Sequence, residues 1–335
     1  MTRPLIVAFV LVLNACSSAG PLVLSRPSDL SHLVWPAAPE VSRIEFLTVF
    51  STPTDLGIEK SFFRKVIDLF TGSEEQHLTR PYSVAVYDKK IAITDPDAAK
   101  VHIYQLDSQS YTNIDSIGNY TLESPIGTAI DSDRLFIADS ILSKVFILND
   151  SHEIVEVLDN FSRPTSLAIN PDLRHLYIAD TLAHQIQVYD YDGNFIFKIG
   201  QRGEGNREFN YPSHLAFSND RLIVNDTMNF RIQIFDVNGL DIHTFGKQGD
   251  ASGFLTQSKG LTADSDGHIY IADALANRIQ IFNQNGDFLL EFGKTGDDPG
   301  EFRMPSGITI WDDKIFVADS YNQRIQVFQY LKVDE

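Results

Sequence analysis

Cysteine is almost missing from this chain. Among 335 residues only Cys16 carries a thiol, which excludes an internal disulfide and any cysteine-built metal centre. Basic residues are also scarce. Lys and Arg number 27 against 45 Asp and Glu, and the formal net charge is −18. Such a surface repels phosphate backbones, so nucleic acid is not an expected partner. The apolar run near the start, Leu5 to Leu13, is too short to cross a bilayer as a helix. Neither a Gly-x-Ser-x-Gly nucleophile elbow nor a phosphate-binding Gly-x-x-x-x-Gly-Lys-Ser/Thr loop occurs, and no cofactor is expected. What the chain has is core-forming material: 43% hydrophobic residues and 11% aromatics.

Residues 1–15 have the layout of a secretory signal peptide: Arg3, the apolar run, then Leu13-Asn14-Ala15-Cys16. The last four residues resemble the bacterial lipobox, although Asn14 replaces the usual small or hydroxyl residue. The resemblance implies palmitate-type acylation of Cys16 and anchoring to a membrane. Ser17 rather than Asp follows the cysteine. By resemblance to Gram-negative sorting signals, this implies the outer membrane, facing the periplasm. Residues 16–42 carry Pro21, Pro27, Pro36 and Pro39 among Ser and Ala, and read as a flexible tether.

From about residue 80 the sequence repeats itself. An apolar strand ends in Asp, four loop residues follow, and a polar residue opens the next apolar run. Ile269-Tyr270-Ile271-Ala272-Asp273 leads to Arg278-Ile279-Gln280-Ile281-Phe282, and Phe316-Val317-Ala318-Asp319 leads to Arg324-Ile325-Gln326-Val327-Phe328. Asp95, Asp139, Asp180, Asp226, Asp273 and Asp319 mark six units spaced by 44, 41, 46, 47 and 46 residues. That period suits a four-stranded propeller blade. Strands rich in β-branched and aromatic residues at nearly consecutive positions are buried on both faces, as stacked blades require. Asp192-Gly193, Asn238-Gly239 and Asn285-Gly286 supply hairpin turns before the fourth strands.

The pattern predicts an all-β, six-bladed propeller over residues 43–331. The last unit ends before its fourth strand, and Ile44 to Phe50 is an unpaired strand of the right size to close the ring. One segment near 59–70 has helical spacing, with Ile58, Phe62, Val66 and Phe70 on a shared face. It reads as a short helical insertion.

These units resemble NHL repeats. The likeness lies in the apolar-Ala-Asp strand ends, the Arg-Ile-Gln-apolar-Phe strands, and Gly-rich connectors such as Phe245-Gly246-Lys247-Gln248-Gly249 and Phe292-Gly293-Lys294-Thr295-Gly296. It is strong in units three to six and weaker in one and two, which lack the Gly-rich connector. Resemblance of this kind carries the fold, whereas propellers host many unrelated activities.

The repeated Asp residues suggest an acid–base array. Residues opposed across a hairpin, however, make structural ion pairs more natural: Asp95 with Lys100, Asp139 with Lys144, Asp226 with Arg231, Asp273 with Arg278, and Asp319 with Arg324. Unit three departs, since Gln185 replaces the cation. Asp180 with His184 is therefore a second candidate site, unless Asp180 simply bonds a glutamine.

Where inner strands begin, Ser83, Ser166, His214 and Lys259 are candidate funnel-binding residues. Propeller lyases of the peptide-amidating kind resemble this repeat and use several inner histidines around a metal, whereas here only His214 aligns; no metal is expected. The reading is a noncatalytic, monomeric envelope lipoprotein that binds or scaffolds a protein, peptide or envelope glycan. Connectors 200–209, 246–254 and 293–302 are its expected contacts. The alternative is a metal-assisted lyase or lactonase-like hydrolase with its site in the funnel.

Overall fold

The computed structural model describes residues 30–58 and 76–332. Six antiparallel sheets succeed one another around an axis, each read outward from an inner strand. The inner strands are Ser83–Tyr87, Pro125–Ile130, Pro164–Asn170, Pro212–Ser218, Ser258–Ala263 and Pro305–Trp311. Blades one to five each complete their four strands in sequence order. Blade six takes its fourth strand from Ile44–Phe50, which runs antiparallel to Arg324–Tyr330, with Ile44 opposite Tyr330 and Phe46 opposite Phe328. The expected closure and blade number are therefore what the molecule shows.

Residues 30–42, which composition assigned to a tether, are docked from Leu30 onward. Val34–Trp35 pairs with Ile44–Phe50 as a fifth strand of blade six. Trp35 packs 5.7 Å from Phe292 and 5.8 Å from Phe328, ring centre to ring centre. Leu30, Leu33 and Trp35 supply apolar surface that a Pro- and Ser-rich composition conceals. The expected helical insertion and the lipobox lie outside the described residues. Ile58, at the head of the helical stripe, is buried beside Leu47 and Phe50.

Six apolar clusters fill the molecule, one between each pair of neighbouring blades. The sixth-to-first interface buries Phe316, Ala318 and Val327 against Val84, Ile91 and Ile93. Each buried aliphatic or aromatic side chain contributes ~2 kcal/mol. Near the axis the inner strands approach so closely that a side chain has no room. A Cβ on Gly260 would lie 2.2 Å from the Ser306 carbonyl oxygen, and one on Gly307 would lie 2.5 Å from that of Tyr82. The Gly307 amide instead donates to the Tyr82 carbonyl at 2.7 Å and joins the last inner strand to the first.

Candidate functional site at the upper mouth

In blades two to six the inner strand starts opposite the repeated Asp, as in the pairing of Pro212 with Asp226, and in blade one Ser83 starts opposite Thr94, the residue before Asp95. Inner-strand starts, the turns after each Asp and the interblade connectors therefore share one face, called the upper face below.

The six Asp side chains are buried, and their first task is backbone capture. Asp95 accepts from the Thr79 and Arg80 amides, Asp139 from Glu123 and Ser124, Asp180 from Ser162 and Arg163, and Asp273 from Thr256 and Gln257. Asp226 and Asp319 accept from Asn210 and Arg303 in the same way. Each carboxylate thus fixes the chain as it turns into the next inner strand.

Cation pairing is less general than the sequence suggested. Arg231 meets Asp226 and Arg324 meets Asp319, each at 2.7 Å. Both guanidiniums also donate to three connector carbonyls: Glu204, Gly205 and Glu208 for Arg231, and Asp297, Asp298 and Glu301 for Arg324. Arg278 stands opposite Asp273 in the register, but its ion pair is with Glu291 at 2.9 Å. Lys144 lies 5.5 Å over the Tyr120 ring, while Asp139 binds four backbone amides. Asp95 has His102 at 3.5 Å rather than Lys100. Burial works against its charge, yet hydrogen bonds from His102, Thr79 and Arg80 prevail and hold the carboxyl below the ordinary range.

The blade-three candidate separates. Asp180 takes its amide bond from Gln187, not Gln185, at 3.3 Å. His184 has left-handed backbone at φ 54°, and its Nδ1 accepts from the Tyr211 amide at 3.2 Å. It therefore caps the start of blade four.

The funnel candidates meet at the axis. Tyr82 of blade one stacks on His214 of the opposite blade four at 5.7 Å and 24°. The Lys259 ammonium lies 5.2 Å over the same Tyr82 ring. His214 Nδ1 bonds Ser213 Oγ at 2.9 Å, while its Nε2 is buried without a partner. Burial, reinforced by the charge on Lys259, holds His214 down to about 3, so the ring is neutral at neutral pH. Burial also pushes the Tyr82 hydroxyl up to about 12, against the opposing pull of Arg163 and Arg80. It pulls Lys259 down, with Arg80 adding to the effect. Ser166 is used structurally: its Oγ accepts from the Leu215 amide at 3.0 Å. Below the stack, Ser83, Ser166 and His214 open a cavity of about 330 Å³ lined by all six inner strands. Among the described residues no three His, Cys, Asp or Glu side chains converge as a metal-binding group.

Sequence reasoning missed a ring of apolar side chains on this face. The second residue after the Asp is Ile141, Leu182, Met228, Leu275 and Tyr321 in blades two to six, with exposures of 62, 47, 53, 60 and 59%. The preceding position explains the outward turn. Thr181 and Ser320 direct their hydroxyls inward to the Pro212 and Pro81 carbonyls, each at 2.6 Å, so the next side chain faces solvent. Blade one breaks the ring with Asp97, which pairs with Arg80 at 2.6 Å. The signal was present at one fixed offset from each repeated Asp.

The connectors named as contacts are braced internally. Parallel bridges join Arg202 to Phe209, Gln248 to Leu255 and Thr295 to Phe302, and the second partner of each pair is fully buried.

Comparison with known proteins agrees with this architecture. The NHL repeat family matches residues 302–328, a family described as 6-bladed beta-propeller matches 169–245, and the SMP-30/Gluconolactonase/LRE-like region matches 126–196. Antigen Lp49 of Leptospira interrogans is 28% identical over 121 residues, covering 32% of this chain and 26% of that protein. Protein brain tumor of Drosophila melanogaster is 34% identical over 56 residues, covering 17% of this chain and 5% of that protein. The chain thus spans about a quarter or less of these relatives. A catalytically inactive virginiamycin B lyase from Staphylococcus aureus, solved with quinupristin, superposes with a TM-score of 0.57 at 17% identity, covering 76% of this chain and 96% of that one. At that identity the likeness is one of fold.

Proposed function

We propose that this chain, a six-bladed β-propeller of NHL-type repeats, is a noncatalytic scaffold of the bacterial envelope that docks a protein partner on its upper face. Anchoring through Cys16 to the outer membrane would hold it at the periplasmic surface.

One observation carries the reading: five blades repeat an exposed apolar side chain at the same turn position, around a mouth that contains cations. Ordered apolar exposure of this kind marks an interaction surface, whereas scattered single residues do not. The partner that fits presents apolar side chains around an acidic group. A rigid ring suits this task because its turns are held by buried hydroxyls and carboxylates, and little ordering is needed on binding.

The test is a photo-crosslinker at position 275 in native cells, followed by mass spectrometry. We expect one envelope protein to be recovered, and to be lost in a Met228→Asp/Tyr321→Asp variant whose melting is unchanged. Unchanged crosslinking in that folded variant overturns the docking face. A tightly bound metal in the purified protein, together with hydrolase or lyase turnover lost in His214→Ala, would overturn the noncatalytic reading.

A further inference from the structure

Three donors at the axial mouth have no partner of their own among the described residues. The Lys259 ammonium touches the face of Tyr82 but forms no ion pair or hydrogen bond among the described residues. Arg163, whose amide is fixed by Asp180 where the chain enters the blade-three inner strand at Pro164, is exposed, and its guanidinium forms no ion pair or hydrogen bond among the described residues. The Tyr82 hydroxyl accepts and donates nothing within the described residues, and its raised value keeps it a donor. In a chain of net charge −18, two unmatched cations and a phenol at one spot are an unusual concentration. The third cation, Arg80, is already matched by Asp97. A partly desolvated ammonium without a counterion is costly, and an anion arriving there relieves that cost. The His214 side of the stack adds a buried ring nitrogen without a partner, so the floor of the mouth is also unsatisfied.

We infer that Lys259, Arg163 and the Tyr82 hydroxyl form a carboxylate-binding site at the centre of the upper face, within the apolar ring of Leu182, Met228 and Leu275. The inference rests on the docking reading above and names the chemistry recognised there: a carboxylate carried on an apolar segment, as a peptide presents it. No covalent step is involved. The guanidinium and the ammonium donate to the two oxygens, and Tyr82 donates from its hydroxyl.

The probe is hexanoate, compared with neutral hexanamide, in an NMR titration of the whole folded domain. We expect saturable binding of hexanoate and at least tenfold weaker binding of hexanamide. Lys259→Gln and Arg163→Gln should each weaken hexanoate at least tenfold. Lys198→Gln, which alters an exposed lysine on the outermost strand of blade three, should change nothing. Equal binding of the two probes overturns the site, as does an absence of saturable binding, or a Lys259→Gln protein that melts normally and binds hexanoate like the unaltered chain. This readout needs no partner. If hexanoate fails while the ring variants still abolish crosslinking from position 275, only the carboxylate inference falls. If hexanoate binds and crosslinking ignores the ring, only the docking face falls.

Discussion

The clasps in blades four and six and the mouth at the axis use the same kinds of side chain to opposite ends. In each clasp a fully buried carboxylate receives an amide, an Asn, an Arg and a Gln: Asp226 from Asn210, Asn229, Arg231 and Gln233, and Asp319 from Arg303, Asn322, Arg324 and Gln326. At the mouth, His214 Nε2 is buried without a partner, and the part-buried Tyr82 hydroxyl and Lys259 ammonium form no hydrogen bond or ion pair among the described residues. Buried polar groups in folded proteins are normally bonded, so the saturated set reads as architecture and the unsaturated set as capacity kept for something else.

Removing a carboxylate should therefore damage the clasp most. Asp319→Ala removes the buried acceptor shared by a part-buried guanidinium, an Asn and a Gln, and should cost about 3 to 5 kcal/mol in denaturant unfolding. Asp139→Ala leaves only backbone amides and should cost about 1 to 3 kcal/mol. Equal losses would erase the distinction between clasped and unclasped blades.

The mouth should respond to acid instead. The folded value of His214, about 3, lies below its ordinary 6.5, so the unfolded chain takes up the proton first. This contribution is complete above pH 6.5 and drains away as pH falls toward 3. His214→Phe keeps the stack on Tyr82 and removes the titration. Between those pH values the unaltered protein should lose roughly 4 kcal/mol more than the variant. Parallel acid profiles would mean that His214 titrates normally.

Period, strand chemistry and the unpaired strand at 44–50 made the propeller legible, because six recurrences of one motif constrain topology as a single motif does not. His214 and Lys259 were legible as inner-strand residues. Their meeting with Tyr82 was not, since blades one and four become opposite only once the ring closes. Two of the five expected ion pairs form, at Asp226 and Asp319, and the other three were misread for a local reason. Register places residues opposite one another, but the destination of a long side chain depends on what else needs donors. Long connectors lead into blades four, five and six, and their arginines bind the carbonyls of those connectors: Arg278, for example, reaches Asp250 and Ala251. Only five residues separate Leu158 from Pro164 ahead of blade three, where Gln185 replaces the arginine. The docked segment at 30–35 was hidden because its apolar residues are few and lie among prolines.

The smallest effects sharpen the same point about cation identity. An Arg presents five N–H groups in a fixed fork, whereas a Lys is a single mobile charge. Arg324 uses its fork to hold Asp319 and three connector carbonyls at once, which an ammonium cannot span. Arg324→Lys preserves charge and should still cost about 1 to 3 kcal/mol, with faster amide exchange across 296–302. Lys144 lies over the face of Tyr120 and forms no ion pair or hydrogen bond among the described residues, so Lys144→Ala should cost about 0.5 to 1 kcal/mol. If the lysine substitution at 324 were as mild as the alanine substitution at 144, charge alone would hold the connector. The arginines of blades four and six would then be interchangeable with the lysines of blades one and two.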